Sequence, residues 1–360
     1  MELQTFIDGN TDYVDKFKEN NLYVRKYSLL KLILVKAKYG VDYDYENNVW
    51  MRYCRGAIIN TETNRLVCIP PVKSFKKEEI KLDEYSDETY SFEPLVDGVM
   101  VNMFYHNDEW IISTRSNIGA KNKWDGKTPF HELFKDVNGD TWFNQLDTQN
   151  CYSFTLQHKD NRIITPVYKN IIYLNEVYSL KDGNIIKLVR EELPEIEGIE
   201  RIQLLEKKDV YLYLERDNIF SIKGFTIKKD SLRIKWMNPN YEYVQELKVN
   251  NNNKFFSYLE LRRTFKLSEY IKFFPEEQYL FDDYRTKYSM IKNELLNSYV
   301  SLKITKEKEW SDIRYELKPL IKELHHEYLN GKGKINSQYV TSYMDRLPIG
   351  KVYFIYNRIF

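Results

Sequence analysis

The spacing of apolar and polar positions changes once along the chain, near residue 250. Up to about Leu247 the chain reads mostly as strands, short apolar or alternating runs broken by turn residues. Residues 99–106 alternate, Asn107-Asp108 supplies a turn, and residues 109–114 return as the partner strand. Residues 55–60, 151–157, 171–178 and 220–228 are further strand candidates, and 130–135 and 241–248 carry helical spacing. The asparagine run at 250–253 punctuates the chain. From Trp310 onward, Ile313, Leu317, Leu320, Ile321, Leu324 and Tyr328 recur at helical spacing, and Gly331 follows as a C-cap. Pro319 lies inside that pattern and is expected to kink or split the helix. Asn336 or Ser337 is placed to cap a short helix through Met344, and after Pro348 residues 352–355 read as a final strand. The expectation is an α+β domain over residues 1–249 and a mostly helical domain over 254–360.

Composition narrows the class. A chain of 360 residues is long enough for two cores. Basic and acidic residues number 54 and 53, a net charge of +1, which excludes a broad polycationic grip on nucleic acid and permits a local basic groove. The 30 tyrosines, with abundant Lys and Asn, fit an AT-rich coding bias and carry no functional content by themselves. The longest apolar run, 29–37, is interrupted by Lys31 and Lys36 and falls short of the ~20 residues of a bilayer span. No signal peptide is expected at the start of the chain. Cys54, Cys68 and Cys151 are an odd number at no metal spacing and read as reduced core residues of an intracellular protein.

The chemistry-bearing segments come in a distinctive order. Arg52-Tyr-Cys-Arg-Gly-Ala-Ile-Ile-Asn60 is followed by Pro70-Pro-Val-Lys-Ser-Phe75 and Pro94-Leu-Val-Asp-Gly98. Ser113-Thr-Arg-Ser116 and Phe154-Thr-Leu-Gln-His-Lys-Asp-Asn-Arg-Ile-Ile164 come next, then Lys223-Gly-Phe-Thr-Ile227 and Leu232-Arg-Ile-Lys-Trp236. This series, over roughly residues 25 to 248, resembles the bacteriophage tRNA-repair type of ATP-dependent RNA ligase, a covalent nucleotidyltransferase. The resemblance implies an antiparallel-sheet nucleotidyltransferase domain followed by a helical domain that helps choose the RNA. It also implies a Lys-x-Asp-Gly motif whose lysine attacks the α-phosphate of ATP to give lysyl–AMP.

Three positions depart from that pattern. Leu95 opens the Leu95-Val96-Asp97-Gly98 motif, and leucine has no lone pair to offer phosphorus. Thr155 stands where the family has a glutamate that contacts the ribose. Lys223 stands where the family has a glutamate that helps hold a divalent metal, and an ammonium repels Mg²⁺. Asp97, Gly98, Arg55, Lys73, Arg115, Arg162 and Lys235 persist, with Arg233 where a second lysine is usual. By resemblance, the basic members would touch phosphates of ATP or RNA.

Each residue also has a plainer reading. Asp97-Gly98 reads most simply as a turn. Arg55 and Arg162 suit ion-paired surface positions, and Arg233 and Lys235 alternate on a strand, facing either a groove or solvent. Lys223 suits an ion pair with a nearby acid. His325-His326 has no third ligand at metal spacing. Tyr211, Tyr213, Phe255, Phe256 and Tyr258 either stack bases or fill a core.

Three functions follow. The first is a pseudoenzyme with no catalytic residue, no metal and no cofactor, kept for nucleic-acid binding or assembly. Its composition and domain plan also resemble ligase-like proteins of large DNA viruses, which implies a cytoplasmic or virion place. The second is an active ATP- and Mg²⁺-dependent ligase using a displaced lysine such as Lys73 or Lys76. The third is an RNA-binding module. For the helical region, with its apolar stripes and its terminal 352–356 segment, the expected role is docking a protein partner, and the plainer reading is a module that packs on the first domain and finishes the fold.

Overall fold

The computed structural model describes residues 1–76, 90–124, 128–139, 141–215, 219–229, 232–248 and 253–360. The expected punctuation at 250–252, and the boundary residue 249, lie outside them. The chain divides into two compact units, Met1–Tyr243 and Val244–Phe360. The first is mixed α+β, with mostly antiparallel sheets, and the second is helical.

Among the described residues, three sheets build the first unit. An antiparallel meander joins Tyr23–Tyr27, Leu32–Lys36, Arg55–Asn60 and Arg65–Cys68. The middle sheet runs in the order Ile186–Lys187, Ile171–Ser179, Asn150–Gln157, Val99–His106, Glu109–Thr114 and Asn117–Ile118, with Glu200–Arg201 parallel to Ile171–Ser179. The third sheet runs Phe75–Lys76, Leu232–Met237, Gly224–Lys229, Ser91–Pro94. The hairpin expected at residues 107–108 forms as the sequence indicates. Asn107 and Asp108 both take positive φ, 50° and 62°, which suits the twist of two strands joined by a two-residue loop.

Side-chain alternation creates the face that matters for function. In the third sheet, Phe92, Phe225, Ile227 and Ile234 pack into one core. Their neighbours Glu93, Thr226, Lys228, Arg233 and Lys235 fall on the opposite face by the period of two. The middle sheet does the same. Val101, Met103, Tyr152, Phe154 and Leu156 pack with Phe130 and Phe134 of the helix Phe130–Asn138. Asn102, Ser113, Ser153 and Glu176, which lie opposite one another across four strands, form a polar face. The two polar faces meet, since Arg233 of the third sheet reaches Glu176 of the middle sheet at 2.9 Å.

Several elements differ from the sequence expectation. Residues 352–355 belong to the helix Ile349–Ile359, not to a strand. Val352 and Ile355 are buried three apart on one helical face, a spacing that a four-residue window cannot separate from strand alternation. Pro319 does not kink a helix. It sits in the first turn of Lys318–Leu329, where its missing N–H costs nothing, and the residues before it form two short 3₁₀ turns, Trp310–Asp312 and Tyr315–Leu317. The strand expected from residue 220 begins only at Gly224. Helices Glu2–Asp8, Tyr13–Glu19 and Lys207–Glu215 interrupt the region that reads as strands.

The second unit is built on Gln278–Lys303, a 26-residue helix, around an aromatic core. Phe255 stacks on Tyr356 at 3.8 Å between centroids, and Tyr258 meets Phe281 edge-on. Both Phe255 and Tyr258 are buried, so they are core residues and not a stacking platform. Gly331 takes φ 73° after Leu329, and Lys332 N–H reaches back to the Glu327 carbonyl, closing the helix end. The cysteines are buried free thiols. Among the described residues, no helix is long and apolar enough to cross a membrane.

Asn336 caps Ser337–Arg346 by accepting the Tyr339 N–H at 2.8 Å. Asn336→Ala is expected to destabilise the second unit by about 1 kcal/mol, and Asn336→Asp by much less, in urea unfolding followed by circular dichroism.

Candidate functional site

Asp97 is the centre of the site. Residues 95–98 connect Ser91–Pro94 to Val99–His106, and the Leu95 N–H donates to the Gly224 carbonyl at 2.8 Å. Asp97 is only 4% exposed. Its Oδ2 accepts the backbone N–H groups of Ile164 and Thr165 at 2.9 and 3.0 Å. Its Oδ1 accepts the Tyr241 hydroxyl at 2.7 Å and the Lys223 ammonium at 3.0 Å. Burial raises the Asp97 pKa, but the Lys223 charge and the donated hydrogen bonds outweigh it and hold the carboxyl below its ordinary value.

The Asp97-Gly98 pair is therefore not the turn that the sequence suggests. Gly98 is needed for close approach. A Cβ there would lie 2.4 Å from the Leu156 carbonyl oxygen and 2.7 Å from the Thr155 methyl. Gly56 does the same beside Arg115, where a Cβ would come within 2.8 Å of the Arg115 Cα, and its φ of +101° also favours glycine.

The three departing positions are all structurally absorbed. Leu95 is half-buried. Thr155 pairs its hydroxyl with Asn175 at 2.8 Å in the middle sheet. Lys223 lies against Asp97 and above the Tyr241 ring, 5.5 Å from its centroid.

Beyond Asp97 the cleft is basic. Arg233 and Lys235 share the polar face of the third sheet. Arg233 pairs with the buried Glu176, which also takes Lys187 at 3.4 Å and Lys228 at 3.7 Å. Burial pushes the Glu176 carboxyl up, yet these cations bring it down to about 2. Lys228 in turn meets Glu93 at 2.6 Å, and Arg190 meets Glu93 at 3.7 Å. Lys235 has no ion pair among the described residues. Burial, then the charges of Arg55, Arg233, Lys223 and Arg115, lower its pKa to about 7. Arg55, at the start of its strand, is lowered to about 10 by burial and by Arg115 and Arg233, and its Nε is buried with no hydrogen-bond partner.

The structure thus brings Arg55, Arg115, Lys223, Arg233 and Lys235 into one electrostatic neighbourhood around Asp97. Arg162 and Lys73 have other duties. Arg162 donates through Nε and Nη2 to the Ile164 carbonyl at 3.0 and 2.8 Å, shaping the loop that feeds N–H groups to Asp97. Lys73 places its ammonium 4.3 Å from the Tyr45 ring centroid. Lys76 is exposed on the strand Phe75–Lys76, in register with Lys235. Sequence reasoning missed Glu93, Glu176, Lys228 and Tyr241. A lone acid in the run 171–178, which is apolar apart from Asn175, was the available signal for Glu176. Tyr241 gave none, because one tyrosine among 30 carries no mark.

Glu93, Glu176, Lys187, Arg190 and Lys228, with Leu174 and Leu188, line a cavity of about 480 Å³. A divalent metal does not fit the residues present at the Asp97 end. Mg²⁺ needs oxygen ligands, and the Asp97 carboxylate already accepts five hydrogen bonds, one of them from the Lys223 ammonium. Among the described residues, no group of three His, Cys, Asp or Glu side chains could hold a metal ion.

Removing Asp97 strands the half-buried Lys223 charge, the Tyr241 hydroxyl and two backbone donors. Asp97→Ala is expected to cost about 3–5 kcal/mol in urea unfolding, and Asp97→Ala with Lys223→Met less than that. Asp97 and Glu176 both have depressed folded pKa values, so their stabilisation is fully present above the unfolded carboxylate range. It is lost as pH falls from roughly 4.5 towards 2. The unfolding midpoint should fall over that window, and Asp97→Asn should show a shallower fall than the parent.

No family model matches the chain. A protein of Autographa californica nuclear polyhedrosis virus, assigned as a bifunctional polynucleotide kinase/RNA ligase, is 27% identical over 177 residues, covering 44% of this chain and 25% of that protein. The match therefore spans about a quarter of the viral relative's length. Among solved structures, a protein of Aquifex aeolicus assigned as an ATP-dependent DNA ligase gives a TM-score of 0.47 at 15% identity, over 76% of each chain. An archaeal ATP-dependent RNA ligase gives 0.46 at 12%, over 69% of this chain and 64% of that one. A Naegleria gruberi RNA ligase gives 0.34 at 11%, over 50% and 58%.

Proposed function

We propose that this chain is a nucleotidyltransferase-fold protein akin to the phage tRNA-repair RNA ligases, that it forms no lysyl–AMP intermediate, and that it binds nucleic acid through the cleft around Lys235. One observation carries the binding reading. Arg55 and Lys235 are half-buried cations with no ion pair among the described residues, and the Arg55 Nε is buried without a hydrogen-bond partner, an arrangement that costs folding free energy unless an anionic ligand compensates it. The lack of chemistry rests on Leu95, Thr155 and Lys223, each placed where the resemblance calls for a lysine or a carboxylate. Binding by this route needs no catalytic residue and no cofactor. A protein partner, if the virus-like resemblance holds, is assigned to the helical unit Val244–Phe360.

The displaced-nucleophile reading has one observation in its favour. Lys235, brought to about 7, is partly unprotonated at neutral pH, and an unprotonated amine is the nucleophilic form.

Incubation of the purified chain with α-labelled ATP and Mg²⁺ or Mn²⁺ separates the two. No acid-labile AMP adduct is expected on any lysine, and an adduct mapped to Lys235, Lys73 or Lys76 establishes the second reading. Leu95→Lys alone is expected to remain unlabelled, because Thr155 and Lys223 still leave ribose and metal unsupported. Strong labelling of that single variant would show that those two positions are misassigned.

Binding to a short single-stranded RNA should weaken with salt, with a slope of about −0.7 in log K per phosphate contact. Arg233→Ala and Lys235→Ala should each flatten the slope by about that amount. Slopes unchanged in both variants would move the binding site elsewhere.

A further inference from the structure

The misfit between this cleft and a divalent metal has a positive side. Sites that grip a chain of phosphates commonly use a divalent cation, held by carboxylates, to neutralise part of the ligand's charge. Here the carboxylate Asp97 is closed to a metal, and the ammonium of Lys223 lies against it at 3.0 Å. Lys223 is tied in place from both directions, by Asp97 and by the ring of Tyr241, whose hydroxyl binds the same carboxylate oxygen. The cation is thus built into the chain.

The charges around it are unevenly matched. Lys223 has Asp97, and Arg233 has Glu176. Arg55, Lys235 and the exposed Arg115 have no acid partner among the described residues, and the Nε of Arg55 is buried with no hydrogen-bond acceptor. Arg55 and Arg115 are held close by the backbone contact at Gly56, and Lys235 projects from the same sheet face as Arg233. Three cations without an ion pair, beside a fourth that is already fixed, make a receptor for several adjoining negative charges. A diphosphate or triphosphate meets that requirement, and guanidinium groups bind its oxygens in pairs. An added divalent ion would bring its charge into a neighbourhood whose acids, Asp97 and Glu176, are already paired with cations.

The geometry points to a phosphate-chain site that works without divalent metal, with the Lys223 ammonium standing in the metal's place and Arg55, Arg115 and Lys235 gripping the phosphate oxygens. This rests on the reading of the cleft as an anion-binding surface and goes further, because it names the ligand chemistry and its metal independence. The phosphate chain has two sources, a free polyphosphate or the 5′-triphosphate end of an RNA.

Calorimetric titration of the full chain with inorganic tripolyphosphate, in excess EDTA and in excess Mg²⁺, tests the metal term. Equal or tighter binding in EDTA is expected, since Mg²⁺ only sequesters the ligand. Tenfold tighter binding in Mg²⁺ overturns the inference. A short RNA carrying a 5′-triphosphate is then compared, in EDTA, with the same RNA ending in a 5′-hydroxyl. A preference of about tenfold or more for the triphosphate assigns the RNA end as the source, and tripolyphosphate binding without that preference assigns the free anion. If the 5′-hydroxyl RNA binds with the expected salt slope while no phosphate chain binds, the inference falls and the proposed function stands. If neither binds, both fall.

Two variants read the role of Lys223 itself. Lys223→Glu should lose at least tenfold in affinity for tripolyphosphate in EDTA and recover part of it in Mg²⁺. Lys223→Met should lose affinity and stay unresponsive to Mg²⁺, which keeps the test usable if two adjacent buried acids prevent folding of the first variant. Full affinity of folded Lys223→Met in EDTA overturns the assignment.

Discussion

A single buried carboxylate sets the geometry on which the rest of the first unit depends. Asp97 accepts donors from three separate stretches of chain, the loop at 164–165, the residue before the Gly224–Lys229 strand, and the helix Pro239–Leu247. Each donor is satisfied by the acid, and the acid's charge is tolerated in a buried place only because these donors are present together. Gly98 lets this segment lie against the Leu156 carbonyl, so the carboxylate reaches its partners from a fixed backbone position. In such an arrangement the Lys223 ammonium has one location, and the neighbouring cations are positioned relative to it.

The cleft balances two opposite demands. At one end, Glu93 and Glu176 absorb Lys187, Arg190, Lys228 and Arg233 in a network that is largely self-compensating. At the other, Arg55 and Lys235 form no ion pair among the described residues, and burial together with the neighbouring cations lowers the proton affinity of both. The apolar clusters on the far sides of both sheets, around Phe154 and around Phe225, supply the burial that lets the fold carry this strain. Apolar packing occupies one face of each sheet and the charged groups the other, so residues that strengthen the core do not have to disturb the cleft.

Much of the framework was legible in the sequence, because it is written in local periods. The alternation of 99–106 and 109–114, the cap at Asn336 and the C-cap at Gly331 all act within a few residues and were read correctly. The alternation of Arg233 and Lys235 likewise placed both on one face. The failures have a common physical cause. Residues 352–355 and Pro319 were misread because a short window does not separate a period of two from one of 3.6, and because proline is harmless in a first turn. Asp97 looked like a turn residue since its partners lie far along the chain, and Glu176 and Tyr241 became visible only when the sheets were brought together.

The same long reach bears on how the chain is made. Asp97 precedes Ile164 by 67 residues, Lys223 by 126 and Tyr241 by 144. During synthesis from the N-terminus the meander of the first sheet has all its strands early, whereas the carboxylate waits for most of the unit to leave the ribosome. Until Tyr241 emerges, an acid and several cations destined for the interior remain hydrated, and the cleft has no fixed form. Closing loops of that length is slow compared with local hairpin formation. Assembly of the cleft is consequently a late event, coupled to completion of the whole first unit and not to any one of its sheets.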